Sequence, residues 1–219
     1  MIKIILSRKP NLYKKPTIGI DEFNNGVSIK GLPLVVCSYY YNSYPNSQKS
    51  NGPFERKKGF KYNKSQEKIN EVINRAKFCL NRNPSFYYTP VENPLKLDGE
   101  YFLHLRALAI SALILKNLSR WGYSKDLVVA IDKIDNNERS KIVGSYLENI
   151  LSDFKLNIPI FFQERADENN MAVKKADRCA YFVALLKHFG KKWPHRTKKV
   201  NIESILKDCK NLDKILYLL

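Results

Sequence analysis

The sequence lacks any apolar run approaching the roughly 18 residues that a membrane-spanning helix needs, so no membrane partner is expected. Its opening, M-I-K-I-I-L-S-R-K-P, is too short and too soon charged for a signal peptide, and an intracellular, cytoplasmic location is the expectation. Cysteine is sparse: Cys37, Cys79, Cys179 and Cys209 stand apart without a C-x-x-C pair. That spacing argues against a zinc site and suits reduced packing residues. The three histidines, His104, His188 and His195, form no H-x-x-x-H pattern, so a histidine zinc centre is not expected either. No internal repeat is visible. Acid is scarce beside base: 21 acidic residues face 38 basic ones, a net charge of +17. A field of that sign draws polyanions, nucleic acid before anionic membrane.

What is present describes a folded chain. With 44% hydrophobic and 12% aromatic residues in a length of 219, it can bury a sizeable core as one domain with a terminal extension. We place that domain at residues 1–190. A basic linker and an amphipathic C-terminal helix, packed on the domain or extending it, take up residues 191–219.

Residues 17–26, T-I-G-I-D-E-F-N-N-G, organise the rest. Apolar Ile18 and Ile20 lead into two adjacent carboxylates, and an Asn-Asn-Gly turn hands the chain to a second apolar run at 32–41. This predicts a β-hairpin. Side chains alternate along a strand, so Asp21 and Glu22 face opposite ways and do different jobs. Residues 1–7 are a candidate short strand. Residues 42–64 turn to Asn, Ser, Gly, Pro and Lys, with Arg56, Lys57, Lys58 and Lys61 interleaved with Phe60 and Tyr62. Cations among aromatics suit phosphate contact with base stacking.

Helices are expected at 65–82, 98–120, 137–154, 170–189 and 202–219, from apolar periodicity. Short strands are expected at 86–91, 127–131 and 158–162. The order predicts an α/β fold: an antiparallel hairpin meander, then α-linked strands parallel to their neighbours, in a mixed five-stranded sheet flanked by helices.

Three acids converge on such a sheet. Asp21 lies on the first hairpin strand, Asp132 at the carboxyl end of the 127–131 strand, and Asp177 on the inward helix face shared with Val173, Ala176, Ala180 and Ala184. Strand carboxyl ends are where open α/β sheets place their sites. Uncompensated carboxylates about 4 Å apart repel by roughly 1–4 kcal/mol. Hard Mg²⁺ or Mn²⁺ ions are the natural compensation.

On these motifs the chain resembles the ribonuclease H-like superfamily, most of all ribonuclease HII. That family opens on I-D-E-A-G-R-G, against I-D-E-F-N-N-G at 20–26. Its long apolar helix leading to a strand that ends in Asp is similar to residues 98–132. Its A-D-x-x-x-x-V-x-x-A-x-x-x-A stretch is similar to 166–180, where the match implies Asp167 as third metal ligand. The ribonuclease HI branch, with an A-D-x-L-A helix, implies Asp177 instead and adds Glu100. Small ribonuclease H-like domains with an I-D-E-S-G opening and a late A-D-x-x-A helix also look similar. Two departures stand out: Asn25 replaces the Arg that helps read the ribonucleotide, and Asp177 replaces a Ser.

The resemblance implies a metal-dependent nuclease acting on RNA, DNA or a hybrid. Two Mg²⁺ or Mn²⁺ ions bridged by Asp21 would bind the scissile phosphate, with Asp132 and Asp177 completing their shells. Glu22, Glu100 and Asp167 are second-choice ligands. Basic residues of 42–64 and of 191–199, among them Lys191, Lys192 and Arg196, would hold the backbone. The rivals are a non-catalytic nucleic-acid-binding protein and a subunit docking, or self-associating, through its C-terminal helix.

Overall fold

The computed structural model describes residues 2–7, 15–23, 34–42, 66–91, 100–133, 136–192 and 196–207. Strands are β1 (Lys3–Ser7), β2 (Thr17–Phe23), β3 (Leu34–Tyr41), β4 (Phe86–Val91), β5 (Val128–Asp132) and β6 (Pro159–Gln163). Helices are α1 (Gln66–Asn81), α2 (Glu100–Trp121), α3 (Asn137–Ser152), the four-residue α4 (Ala166–Asn169), α5 (Met171–His188) and α6 (Ile202–Leu206), with a 3-10 turn at Arg196–Lys198.

The strands form one sheet in the order β1-β6-β5-β2-β3-β4. β2, β3 and β4 are an antiparallel meander, with Asp21 opposite Cys37 and Val36 opposite Thr89. On the other side of β2, β5, β6 and β1 run parallel. This is the expected mixed α/β sheet, an antiparallel meander followed by parallel strands, with helices on its faces. It has six strands where five were expected, because the 1–7 segment joins it by pairing Lys3 with Pro159 and Ser7 with Gln163.

Alternation along the strands sorts the core into two layers. Ile18, Ile20, Val36, Val129, Ile131, Ile160 and Phe162 pack with α2 and α3 on one face. Val35, Cys37, Tyr39, Phe86 and Tyr88 pack with α1 and α5 on the other. The α2 stretch Phe102–Trp121 is long and apolar enough to cross a membrane by composition, beyond what the sequence suggested, but most of it is buried inside the protein. It is a core helix, holding the sheet through Leu108, Leu113 and Ile114 and stacking His104 on Tyr146 of α3 at 3.9 Å. Asn117 ties its far end to the sheet, donating to the buried Ser38 hydroxyl at 2.7 Å.

Asparagine starts three helices, its side chain accepting first-turn N–H groups that have no partner within the helix. Asn136 caps α3, Asn170 caps α5 and Asn201 caps α6. The expected 170–189 helix is thus preceded by the separate turn α4. Of the expected 202–219 helix, residues 202–206 are helical, and 208–219 lie outside the described residues.

Candidate active site

The site is built where α5 lands on the sheet. Gly19 makes that landing: a Cβ there would overlap the Ala172–Val173 peptide and come within 2.6 Å of the Ala172 oxygen. Only glycine lets the amino end of α5 lie directly on β2. From that point α5 runs alongside β2 to Tyr181, whose ring meets Phe23 edge-on at 5.1 Å. The 1.5 Å rise of a helix and the 3.3 Å rise of a strand bring Asp177, five residues past Ala172, level with Asp21, two past Gly19.

Asp21 is 8% exposed, and one of its oxygens accepts the Glu22 N–H at 2.7 Å. Burial, then the Asp177 carboxylate, then the Asp132 carboxylate push its pKa well above the usual range. Asp132, the last residue of β5, accepts the Ala166 N–H at 2.8 Å. Burial pushes its pKa up to about 6, with Asp167 and Asp177 adding to the rise against the Ala166 hydrogen bond. The three aspartates expected from the sequence therefore act on one another from β2, β5 and α5.

Both candidates for the third position border this group. Asp177 acts on Asp21 and on Asp132, whereas Asp167, on α4, acts on Asp132. The cations nearby are turned elsewhere. Lys133 pairs with Glu164 at 2.7 Å, Arg165 lies 4.0 Å from Glu168, and Lys175 sits over the rings of Tyr39 and Tyr41. Among the described residues neither Asp21 nor Asp132 has a basic partner. Nor, among them, do three His, Cys, Asp or Glu side chains converge as a ready metal-ligand set. The donor chemistry fits a hard divalent ion: carboxylate oxygens, with Asp21 buried and raised by the charges of Asp177 and Asp132.

Glu22 belongs to the other face, as alternation requires. It pairs at 2.8 Å with Arg106, a residue of α2 that is 1% exposed. It is thereby separated from the aspartates, and its charge is already compensated. Sequence reasoning passed over Arg106, although a lone arginine among the apolar residues of α2 signals a buried acidic partner. It also passed over Gln163 and Asn170. Gln163 is buried beside Asp132 in the register of β5 and β6, and the Asn170 amide lies 3.5 Å from its oxygen. Opposite Asp21, the buried Cys37 thiol donates to the Tyr87 carbonyl at 3.1 Å, and burial, then the neighbouring Cys179, holds it well above its ordinary pKa.

Glu100 opens α2, Lys191 and Lys192 are exposed just past α5, and Arg196 opens the 3-10 turn. Arg56, Lys57, Lys58, Phe60, Lys61 and Tyr62 lie outside the described residues.

No protein-family model matches this chain. No curated protein matches it either. Among solved structures it is similar to Bst-RNase HIII crystallised with Mn²⁺, with a TM-score of 0.47 and 16% identity over 95% of this chain and 71% of that one. A glutamine-to-alanine mutant of Bst-RNase HIII gives a TM-score of 0.48 and 17% identity over 94% and 70%. Likenesses this distant leave the chemistry of this chain to its own residues.

Proposed function

We propose that the protein is a divalent-metal-dependent nuclease of the ribonuclease H-like kind, hydrolysing nucleic-acid phosphodiester bonds at Asp21, Asp132 and Asp177. The observation that carries this reading is the buried Asp21 carboxylate, itself without a basic partner among the described residues and set beside carboxylates from two other elements. Such an arrangement is costly unless a cation compensates it. Asp21, Asp132 and Asp177 would hold Mg²⁺ or Mn²⁺, Asp21 being shared if two ions bind. When bound, such ions activate water and stabilise the leaving oxygen of an in-line displacement. The chain's own residues set the geometry: Gly19 brings Asp177 to Asp21, and the Ala166 N–H fixes one oxygen of Asp132. Asp177 is preferred to Asp167 because it acts on both other aspartates. The resemblance to ribonuclease HII favours Asp167, and Glu100 stays a further candidate. Lys191, Lys192, Arg196 and the basic residues of 42–64 would grip the phosphate backbone in this reading.

The test pairs metal binding with cleavage. Asp21→Asn should abolish Mn²⁺-dependent cutting of labelled RNA, DNA and hybrid duplexes and weaken Mn²⁺ binding in calorimetry. Nucleic-acid affinity should stay within several-fold, since no basic contact is lost. Asp177→Asn should do the same, and Asp167→Asn should retain activity. If Asp167→Asn alone kills activity, the third ligand is Asp167. Cutting that persists undiminished in EDTA would sink the metal mechanism, and no cutting with any divalent ion would favour the non-catalytic binder.

A further inference from the structure

On the opposite face of the sheet from the aspartates, at the other end of β2, aromatic rings and cations gather with no acid paired to them among the described residues. Tyr40 of β3 is stacked on Trp121, the last residue of α2, at 5.0 Å and 11° between planes. Trp121 remains 40% exposed. The Arg120 guanidinium stands 5.6 Å from the Trp121 ring. One turn earlier, the Lys116 ammonium lies 5.7 Å from the ring of Tyr87 on β4. Lys198 comes to the same ring from far along the chain, its ammonium 5.1 Å away and bonded to the Pro84 carbonyl.

Lys198 is held there deliberately. The segment after the 3-10 turn is bridged to the edge strand, Lys199 beside Tyr88, with the Val200 N–H donating to the Tyr88 carbonyl at 2.8 Å. Partial burial and the nearby Arg120 charge lower the pKa of Lys198. Among the described residues no carboxylate pairs with Lys116, Arg120 or Lys198. A single arginine in the last turn would be accounted for by the negative end of its own helix. A lysine carried in from another element toward like charge is not. Like charges gathered without acid await an anion, and an exposed indole beside them offers a stacking surface.

We propose that Trp121, Arg120, Lys116 and Lys198 form a binding site for single-stranded nucleic acid, separate from the aspartate site. An unpaired base would stack on the exposed part of the Trp121 indole, beside the Arg120 guanidinium, and its phosphates would lie against Arg120 and Lys198. Duplex is disfavoured because its bases are not available to the indole. The site lies on the α2 face. Tyr40 pairs with Ile18, three residues before Asp21 and so about 10 Å along β2. It binds rather than cuts, and does not depend on the aspartates being a nuclease.

The experiment measures anisotropy of a labelled oligothymidylate of about 16 nucleotides in EDTA against salt, with a duplex of equal length alongside. Trp121→Ala should weaken single-strand binding by about five- to a hundred-fold, leave the salt slope unchanged and affect duplex little. Trp121→Phe, which keeps a ring on Tyr40, should recover most of that loss. Arg120→Ala with Lys198→Ala should flatten the slope of log K against log salt by about 1.4, at roughly 0.7 per phosphate on single strands. Asp21→Asn should bind as the wild type, which separates this site from the nuclease reading. Arg120→Glu changes an exposed side chain and leaves the fold intact, so wild-type single-strand affinity in that variant would overturn the proposal. So would a loss confined to phosphatidylglycerol vesicles with the oligonucleotide unaffected, which would make the patch a membrane contact.

Discussion

Two adjacent acids on one strand have opposite fates, and the pleat decides which is which. Glu22 faces α2 and is neutralised by Arg106, while Asp21 faces α5 and meets more carboxylate. This division was readable from the sequence, because a strand has a period of two and the apolar partners Ile18 and Ile20 mark the face Glu22 shares. The identity of its partner was not, since a pair between β2 and α2 depends on how the helix crosses the sheet. Gly19 carries a sharper consequence. In Gly19→Ala the new methyl meets backbone, which cannot rotate away as a side chain can. The amino end of α5 must lift, with a loss of about 1–3 kcal/mol as for other overpacked core sites. Urea denaturation should show that loss, and calorimetry should show weakened Mn²⁺ binding as Asp177 moves off Asp21. Unchanged stability would mean that the helix end yields freely.

At the scale of elements, α5 was legible as a helix with an inward face of Val173, Ala176 and Ala180, and with Asp177 beside it. Its start at residue 170 was legible as well, but the separate turn α4 just before it was not, because A-D-E-N carries no apolar periodicity. Asn170 makes the break: its backbone is extended, and its side chain accepts from Ala172 and Val173 at 3.0 and 3.4 Å. Asn170→Ala should cost about 1 kcal/mol, the usual price of a lost cap, measured by thermal melting. Asn170→Asp and Asn170→Ser should restore most of it, whereas equal melting of all three variants would show that the cap contributes nothing. The position of the 1–7 strand was illegible for a related reason. A five-residue apolar run carries no mark of which sheet edge it joins. Gly144 of α3 is what admits it, since a Cβ there would stand 2.9 Å from Ile4 Cγ2.

Over the whole molecule base exceeds acid, 38 residues to 21, yet three acids act on one another at one place, and pH acts on them in its own direction. The folded pKa of Asp132 is raised, so its contribution to stability is complete below the unfolded value near 3.8 and is lost as pH rises through about 6. In EDTA, the stability of the wild type relative to Asp132→Asn should therefore fall between pH 4 and pH 7. The fall should be about 1–3 kcal/mol, the lower figure allowing for solvent screening at a half-buried carboxylate. Saturating Mn²⁺ should reverse the trend, because its ligands must be deprotonated. A difference flat with pH in EDTA would show that Asp132 ionises freely.

β1 and β6 also set a schedule. Lys3 finds its partner Pro159 only after nearly the whole sheet has left the ribosome. Until then the K-I-I-L-S segment of β1 has no partner, an apolar strand with unpaired backbone groups, able to pair with a strand edge of another nascent chain. Closing so long a loop is slow compared with the local meander of β2, β3 and β4. β1 is therefore made well before the strand it pairs with and docks late, and the yield of folded protein depends on how quickly β6 covers it.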